Sequence, residues 1–182
     1  MPRILVLYAT REGQTGKVAT RIAEHLAAAG AAVEILNARD KSAVRRLDLA
    51  PFDLLVFGGS MHAGGVEGEL VDFINGHREQ IAGKRRSFFL VLLSAATKDP
   101  ELRSKWLADA LAKLKSQVEL DFDEIEMVAG ALHYSKYSAP TKWVMQKIAR
   151  EAGEATDTSK DYEYTDWQQV EDYARKLVAS AG

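Results

Sequence analysis

Five short segments, residues 4–9, 32–36, 53–58, 87–93 and 126–132, carry largely continuous apolar runs. A strand with one face in water alternates polar and apolar side chains, so a run without alternation has to be covered on both faces. That is the condition of strands inside a parallel sheet. Helical spacing fills the gaps between them. Val18, Ile22, Ala23 and Leu26 share one face before Gly30 stops the helix, and Leu70, Phe73, Ile74 and Ile81 mark another. Asp99-Pro100-Glu101 gives a cap, a first-turn proline and an acidic first turn to a helix carrying Leu102, Trp106, Leu107, Leu111 and Leu114. Thr165-Asp166-Trp167-Gln168 has capping-box spacing ahead of Val170, Tyr173, Ala174 and Leu177. Strand and helix alternating in this way predict an α/β fold, a doubly wound five-stranded parallel sheet with right-handed crossovers. The length, 182 residues of which 47% are hydrophobic, suits a single domain over 1–182. One stretch breaks the rhythm. Residues 134–160, after the fifth strand, far exceed the usual connection of about two to six residues, and read as a helical insertion in which Val144, Met145, Ile148, Ala149 and Ala152 share a face.

Doubly wound sheets bind ligands beyond the carboxyl ends of their strands, beside the first strand. The loop there is Thr10-Arg11-Glu12-Gly13-Gln14-Thr15. Hydroxyls at both ends, a glycine that lets the backbone curl, and a following helix N-terminus aim several N–H and O–H groups at one anion. Thr10, Arg11, Gly13, Gln14 and Thr15 are therefore candidates to hold a phosphate, although a plain strand-to-helix turn favours the same residue types. Gly16-Lys17 is not a nucleotide P-loop, because Arg11 and Val18 stand where glycine and a hydroxyl residue are required. No G-x-G-x-x-G follows the first strand, which argues against NAD. A second glycine-rich loop, Gly58-Gly59-Ser60-Met61-His62-Ala63-Gly64-Gly65, follows the third strand, and Ser94-Ala95-Ala96-Thr97 follows the fourth. Gly59, Ser60, Met61, His62, Ala63 and Gly64, with Ser94, Ala95, Ala96 and Thr97, are expected to meet a flat ring while the first loop holds its phosphate, the shape of FMN.

These loops make the chain resemble the flavodoxins, whose phosphate loop has the form T/S-x-T-G-x-T. The resemblance implies bound FMN and the strand order 2-1-3-4-5. Glu12 stands where flavodoxins carry a hydroxyl. A carboxylate there repels a phosphate unless it points away or pairs with Arg11, so Glu12 is left out of the ligand set. Over nearly its whole length the chain is more similar to the menaquinone-dependent protoporphyrinogen IX dehydrogenases, a flavodoxin-fold family. The likeness is carried by the loop Thr10 to Thr15, by Ala129-Gly130-Ala131-Leu132 with Tyr134 and Tyr137, and by Thr156-Asp157-Thr158, Lys160 and Tyr164-Thr165-Asp166-Trp167. It implies an FMN-dependent oxidoreductase of haem biosynthesis that removes hydrogen from protoporphyrinogen IX and passes electrons to a membrane quinone.

The rest of the chain bears on that expectation. Without cysteine, disulfides, thiolate zinc sites and cysteine-held iron–sulfur clusters are excluded, so redox chemistry requires an organic cofactor. A net charge of −2 provides no global basic field for nucleic acid. Flavin chemistry asks the protein for positioning rather than a triad, and no catalytic residue is assigned. The second and third loops lack the aromatics that sandwich the flavin in electron-carrying flavodoxins, which favours a ring face open to substrate. An electron carrier and an NAD(P)H quinone reductase remain as alternatives; a phosphoacceptor receiver domain would need acidic residues where Ala9-Thr10 and Gly58-Gly59 stand. Between 134 and 150 the insertion holds Lys136, Lys142, Lys147 and Arg150 and no acidic residue. Trp143 falls between Lys147 and Arg150 on a helical wheel, opposite Val144 and Ile148. Together with His133, Tyr134 and Tyr137 these residues suit a propionate-bearing porphyrin or lipid headgroups, against the plainer reading of a solvated charged face. No apolar run approaches the roughly 18–20 residues that span a bilayer, and Met1-Pro2-Arg3 leads straight into an apolar stretch unlike a secretory signal. The expected location is cytoplasmic, peripheral on the inner face of the cell membrane.

Overall fold

A computed structural model of the chain describes residues 1–62, 64–151, 153 and 156–181. Strands β1 (Arg3–Tyr8), β2 (Ala32–Asn37), β3 (Leu54–Ser60), β4 (Arg85–Leu92) and β5 (Glu124–Ala129) form one sheet in the order β2-β1-β3-β4-β5. Every pairing in it is parallel. Alternate residues of the strands feed two separate cores. Ile4, Val6, Leu54, Val56, Phe89 and Val91 pack with Val18, Ile22 and Leu26 of α1 (Gln14–Ala28) and Val170, Tyr173 and Leu177 of α7 (Trp167–Ala181). Leu5, Leu7, Leu55, Phe57, Phe88 and Leu90 pack with Leu70, Phe73 and Ile74 of α3 (Gly68–Gly76) and Ala110 and Leu114 of α5 (Pro100–Gln117). The inner strands β1, β3 and β4 are covered on both faces, which is why their sequences do not alternate, whereas the edge strands β2 and β5 are only partly covered.

Side-chain chemistry shifts several element ends from where the sequence pattern puts them. The helix expected to run through Ile81 is two, α3 and α4 (Arg78–Ala82), divided at His77. The His77 ring lies against Phe73 and its Nδ1 is 2.8 Å from the Phe73 carbonyl, at the point where α3 ends. The fifth strand stops at Ala129 instead of 132, because the chain turns away at Gly130, whose N–H donates to Leu92 O. Ala131–Leu132 (β6) then pairs antiparallel with Tyr162–Glu163 (β7), so the insertion leaves and returns side by side. The cap of α7 is Asp166, whose carboxylate accepts from the amides of Gln168 and Gln169. Thr165, expected to cap, instead donates its hydroxyl to Ala129 O and accepts from Gln14 Nε2. Asp40 caps a short helix, α2 (Lys41–Val44).

The insertion carries α6 (Ala139–Glu151), with a different face inward from the one expected. Ala149 is buried and Met145 half-buried, whereas Val144 and Ile148 are 47% and 39% exposed. Ala152 lies outside the described residues. A small cluster of Leu132, Tyr134 and Ala149, edged by Tyr137, Met145 and Tyr162, is the lobe's own core.

One glycine sets how tightly the sheet packs. Gly58 is paired with Phe89 across β3 and β4, and a Cβ on Gly58 would lie 1.9 Å from Phe89 Cζ. Gly58→Ala is expected to cost about 1–3 kcal/mol of stability through overpacking. Urea unfolding reads this as a lower midpoint at unchanged slope; an unchanged midpoint would mean that the Phe89 ring has room to swing aside.

Candidate functional site

Parallel strands deliver their following loops to one edge, and here the first amide of each loop is still held by the neighbouring strand. Ala9 N–H donates to Gly58 O, Met61 N–H to Val91 O, and Gly130 N–H to Leu92 O. Between these loops lies a small cavity of about 90 Å³, open to solvent. Thr10, Glu12, Gln14 and Thr15 line it from the first loop, and Ser60, Met61 and His62 from the second. The end of β4 adds Val91, Leu92 and Leu93, with Gly130 and Ala131 beside them, and the insertion contributes Tyr137 and Met145.

The chemistry of the first loop suits an anion. Thr10 Oγ1 accepts the Gly13 N–H at 2.9 Å, and Gly13 has φ of 103°, where an L side chain is strained. Gly13 caps α1 without a side-chain acceptor, so the first-turn amides keep their donors free beside the positive end of the helix. Lys136 Nζ, arriving from the insertion, donates to Glu12 O at 2.5 Å and lies 3.9 Å from where a Cβ on Gly13 would stand. Gln14 and Thr15 are 5% and 1% exposed, and Gln14 Oε1 is buried with no hydrogen-bond partner. Free amides, a nearby ammonium and an unsatisfied acceptor fit a phosphate ester that also carries hydroxyls.

Glu12 does not pair with Arg11, which is exposed. Its carboxylate accepts the Tyr137 hydroxyl at 2.8 Å. Burial, and then the adjoining Glu12 carboxylate, raise the Tyr137 phenol well above its ordinary value, so it remains a donor across the physiological range. The second loop is fixed by a residue the sequence pattern does not single out. Glu67 is fully buried and accepts from Ser60 N–H at 3.0 Å and from the Ser60 hydroxyl, with His62 Nε2 3.5 Å from its Oε1. Ser60 Oγ is also 3.0 Å from His62 Nε2. Burial alone would raise the Glu67 carboxyl, but the hydrogen bonds from His62 and Ser60 outweigh it and hold the group below its ordinary value. Nothing in the spacing of a lone glutamate ahead of α3 marks this role.

Several expected contacts fall elsewhere. Gly59 lies inside β3, where a Cβ would meet Val66 at 2.6 Å, so its missing side chain serves packing and not a ligand. Gly64 is exposed, and Ala63 lies outside the described residues. Of the segment 94–97, none lines the cavity. Residues Leu93–Ala96 curl into a 3₁₀ turn that buries Ala95, Thr97 is buried with an unpaired hydroxyl, and the wall on this side is made by Val91, Leu92 and Leu93. Tyr134 is fully buried in the lobe's core, so it cannot meet substrate or lipid. His133 sits 3.6 Å from Asp161 away from the cavity, Lys142 is half-buried, and Lys147 and Arg150 are exposed with Trp143 at 67%. The lining aromatic among the described residues, Tyr137, comes from the insertion instead of the second or third loop.

The profile of the flavodoxin domain family matches residues 5–159. The chain is 27% identical over 176 residues, 97% of its length and 94% of the relative's, to the protoporphyrinogen IX dehydrogenase [quinone] of Escherichia coli K12. It is 25% identical to the enzyme of the same name from Leishmania major, covering 98% of this chain and 75% of that one. Among solved structures it is similar in fold to a short-chain flavodoxin associated with a PDU bacterial microcompartment, at TM-score 0.55 and 16% identity over the whole of both chains. A second likeness is to flavodoxin 2 of Bacillus cereus, at TM-score 0.52 and 18% identity over 98% of this chain and 99% of that one.

The lowered Glu67 carboxyl carries a pH signature. Its contribution is complete above the ordinary value of 4.5 and is lost as pH falls through the lower folded value. Glu67→Gln is expected to cost about 1–3 kcal/mol at neutral pH and progressively less in acid. Urea unfolding of both proteins across that range checks it; a difference independent of pH would show that the charge is not what ties down the loop.

Proposed function

The chain belongs to the flavodoxin domain family, and on that premise we propose that it is an FMN-dependent oxidoreductase that dehydrogenates protoporphyrinogen IX and passes the electrons to a membrane quinone. The observation that carries this reading is the insertion, which closes over the phosphate loop through Tyr137 and Lys136. The likeness to the Escherichia coli and Leishmania enzymes runs through that same segment. The free amides of the first loop, the Thr10 and Thr15 hydroxyls and Lys136 would hold the FMN phosphate. Ser60 to His62 and the end of β4 would flank the ring, with Tyr137 and Met145 on the insertion side. FMN supplies the capacity to accept a hydride and release electrons singly or in pairs. The chain's part is to neutralise the phosphate, to keep the Glu12 carboxylate engaged by Tyr137, and to fix the second loop through Glu67.

Quinones of this kind reside in lipid, and the chain has a surface suited to reach them. Among the described residues no helix is long and apolar enough to cross a membrane. Trp143, strongly exposed and flanked by exposed Lys147 and Arg150, supports a peripheral contact at the headgroup level on the cytoplasmic face.

Anaerobic stopped-flow of the FMN-loaded protein against protoporphyrinogen IX and, separately, NADPH tests the reading. Rapid flavin bleaching by the porphyrinogen above its autoxidation rate, with reoxidation by a quinone, is expected; bleaching by NADPH alone would make the protein a quinone reductase. Lys136→Ala is expected to weaken FMN binding roughly two- to fivefold, the scale of an exposed charge contact, as followed by flavin fluorescence. Trp143→Ala with Lys147→Glu should abolish co-sedimentation with anionic vesicles while leaving FMN affinity unchanged; undiminished sedimentation would remove the membrane role of α6.

A further inference from the structure

The cavity has a neighbour. Met61, His62 and Leu93 border both the cavity and a broad groove between α5 and α6. The groove has a volume of about 480 Å³ and opens to solvent, within the range of about 300–1,000 Å³ that small-molecule sites occupy. Its α5 wall is one helical face, Trp106, Asp109, Ala110 and Lys113, at i, i+3, i+4 and i+7. Its α6 wall is Ile148 and Glu151. This accounts for the unexpected exposure of Ile148, which looks into the groove instead of the lobe's core.

We propose that this groove is the site of the porphyrinogen macrocycle; the assignment rests on the function proposed above and names the residues that select the substrate. Trp106, half-buried, and Ile148 offer apolar surface on opposite walls. Lys113 stands among two carboxylates, Asp109 and Glu151, and among the described residues none of the three forms an ion pair or side-chain hydrogen bond within the chain. A ligand that satisfies this lining needs ring surface, an anionic arm and several N–H donors at once. A porphyrinogen has all three, with pyrrole N–H groups for Asp109 and Glu151 and a propionate for Lys113. A quinone has carbonyl acceptors and no donors for the carboxylates. Because Met61, His62 and Leu93 are shared, a macrocycle in the groove lies edge to edge with whatever fills the cavity, and no lid has to open between them.

The test uses FMN-loaded protein titrated with protoporphyrin IX, the air-stable oxidised ring, followed by porphyrin absorbance and tryptophan quenching. Trp106→Ala and Lys113→Glu are each expected to weaken porphyrin binding about tenfold and to raise the KM for protoporphyrinogen IX in parallel. FMN affinity and the rate of flavin reoxidation by a soluble quinone should stay as they are. Lys113 is exposed, so its variant folds even where loss of Trp106 loosens α5. Wild-type protein that binds no porphyrin, or variants that bind it unchanged, would overturn the groove assignment, as would an effect on the quinone's KM alone. Turnover with unaffected variants sinks the groove and leaves the oxidoreductase standing; variant-sensitive porphyrin binding without turnover does the reverse.

Discussion

A sheet whose strands all run the same way ends them all at one edge, and the meeting of the loops that line the cavity follows from that constraint. The three inner strands β1, β3 and β4 are buried on both faces, so their register cannot slip without exposing an entire core layer. The amides of Ala9, Met61 and Gly130 continue the ladder one residue past the strands. Each loop therefore begins at a level set by its neighbour. Only beyond that level does the backbone turn out, at Gly13 through a left-handed residue and at Gly65 through a second one, where Gln117 fills the space a side chain would need.

The insertion is attached to this edge by hydrogen bonds rather than by burial of a large surface. Its own core is small, and its two ends are clipped together by β6 and β7. Thr165 joins three parts at one hydroxyl: the end of β5 at Ala129, the start of α7, and Gln14 at the phosphate loop. Tyr137 and Lys136 make the second attachment, through the side chain and the carbonyl of Glu12. The carboxylate that looks unfavourable in a phosphate loop is thus the acceptor that docks the lobe.

The strands, most of the helices and the loop that opens α1 are legible in the sequence because they follow from periodicity and backbone chemistry, which are local; the strand order is legible only through the family resemblance. The contacts made over distance are not. Glu12 to Tyr137 spans 125 positions and Gln14 to Thr165 spans 151, so no window of sequence holds both partners. Glu67 is hidden for a related reason: a buried glutamate reads as an exposed helix start until Ser60 and His62 are seen to donate to it. Hydrophobicity alone does not mark the face of α6 that turns inward, since Val144 and Ile148 are apolar without being core. The small-residue run Ser94-Ala95-Ala96-Thr97 resembles a ligand loop by composition, yet a 3₁₀ turn buries Ala95, Thr97 is buried beyond it, and Ser94 borders the groove instead of the cavity.

The shared hydrogen bonds at Glu12 make the lobe and the first loop a thermodynamically linked pair. A ligand that orders the loop lowers the free energy of the docked lobe, and by reciprocity anything that holds the lobe down raises affinity in the loop by the same factor. A surface that grips α6 from outside, whether lipid or protein, would then act as an effector of cofactor retention without touching the cofactor. Loss of ligand would register first as faster backbone amide exchange in α6, at the periphery, while the sheet stays protected.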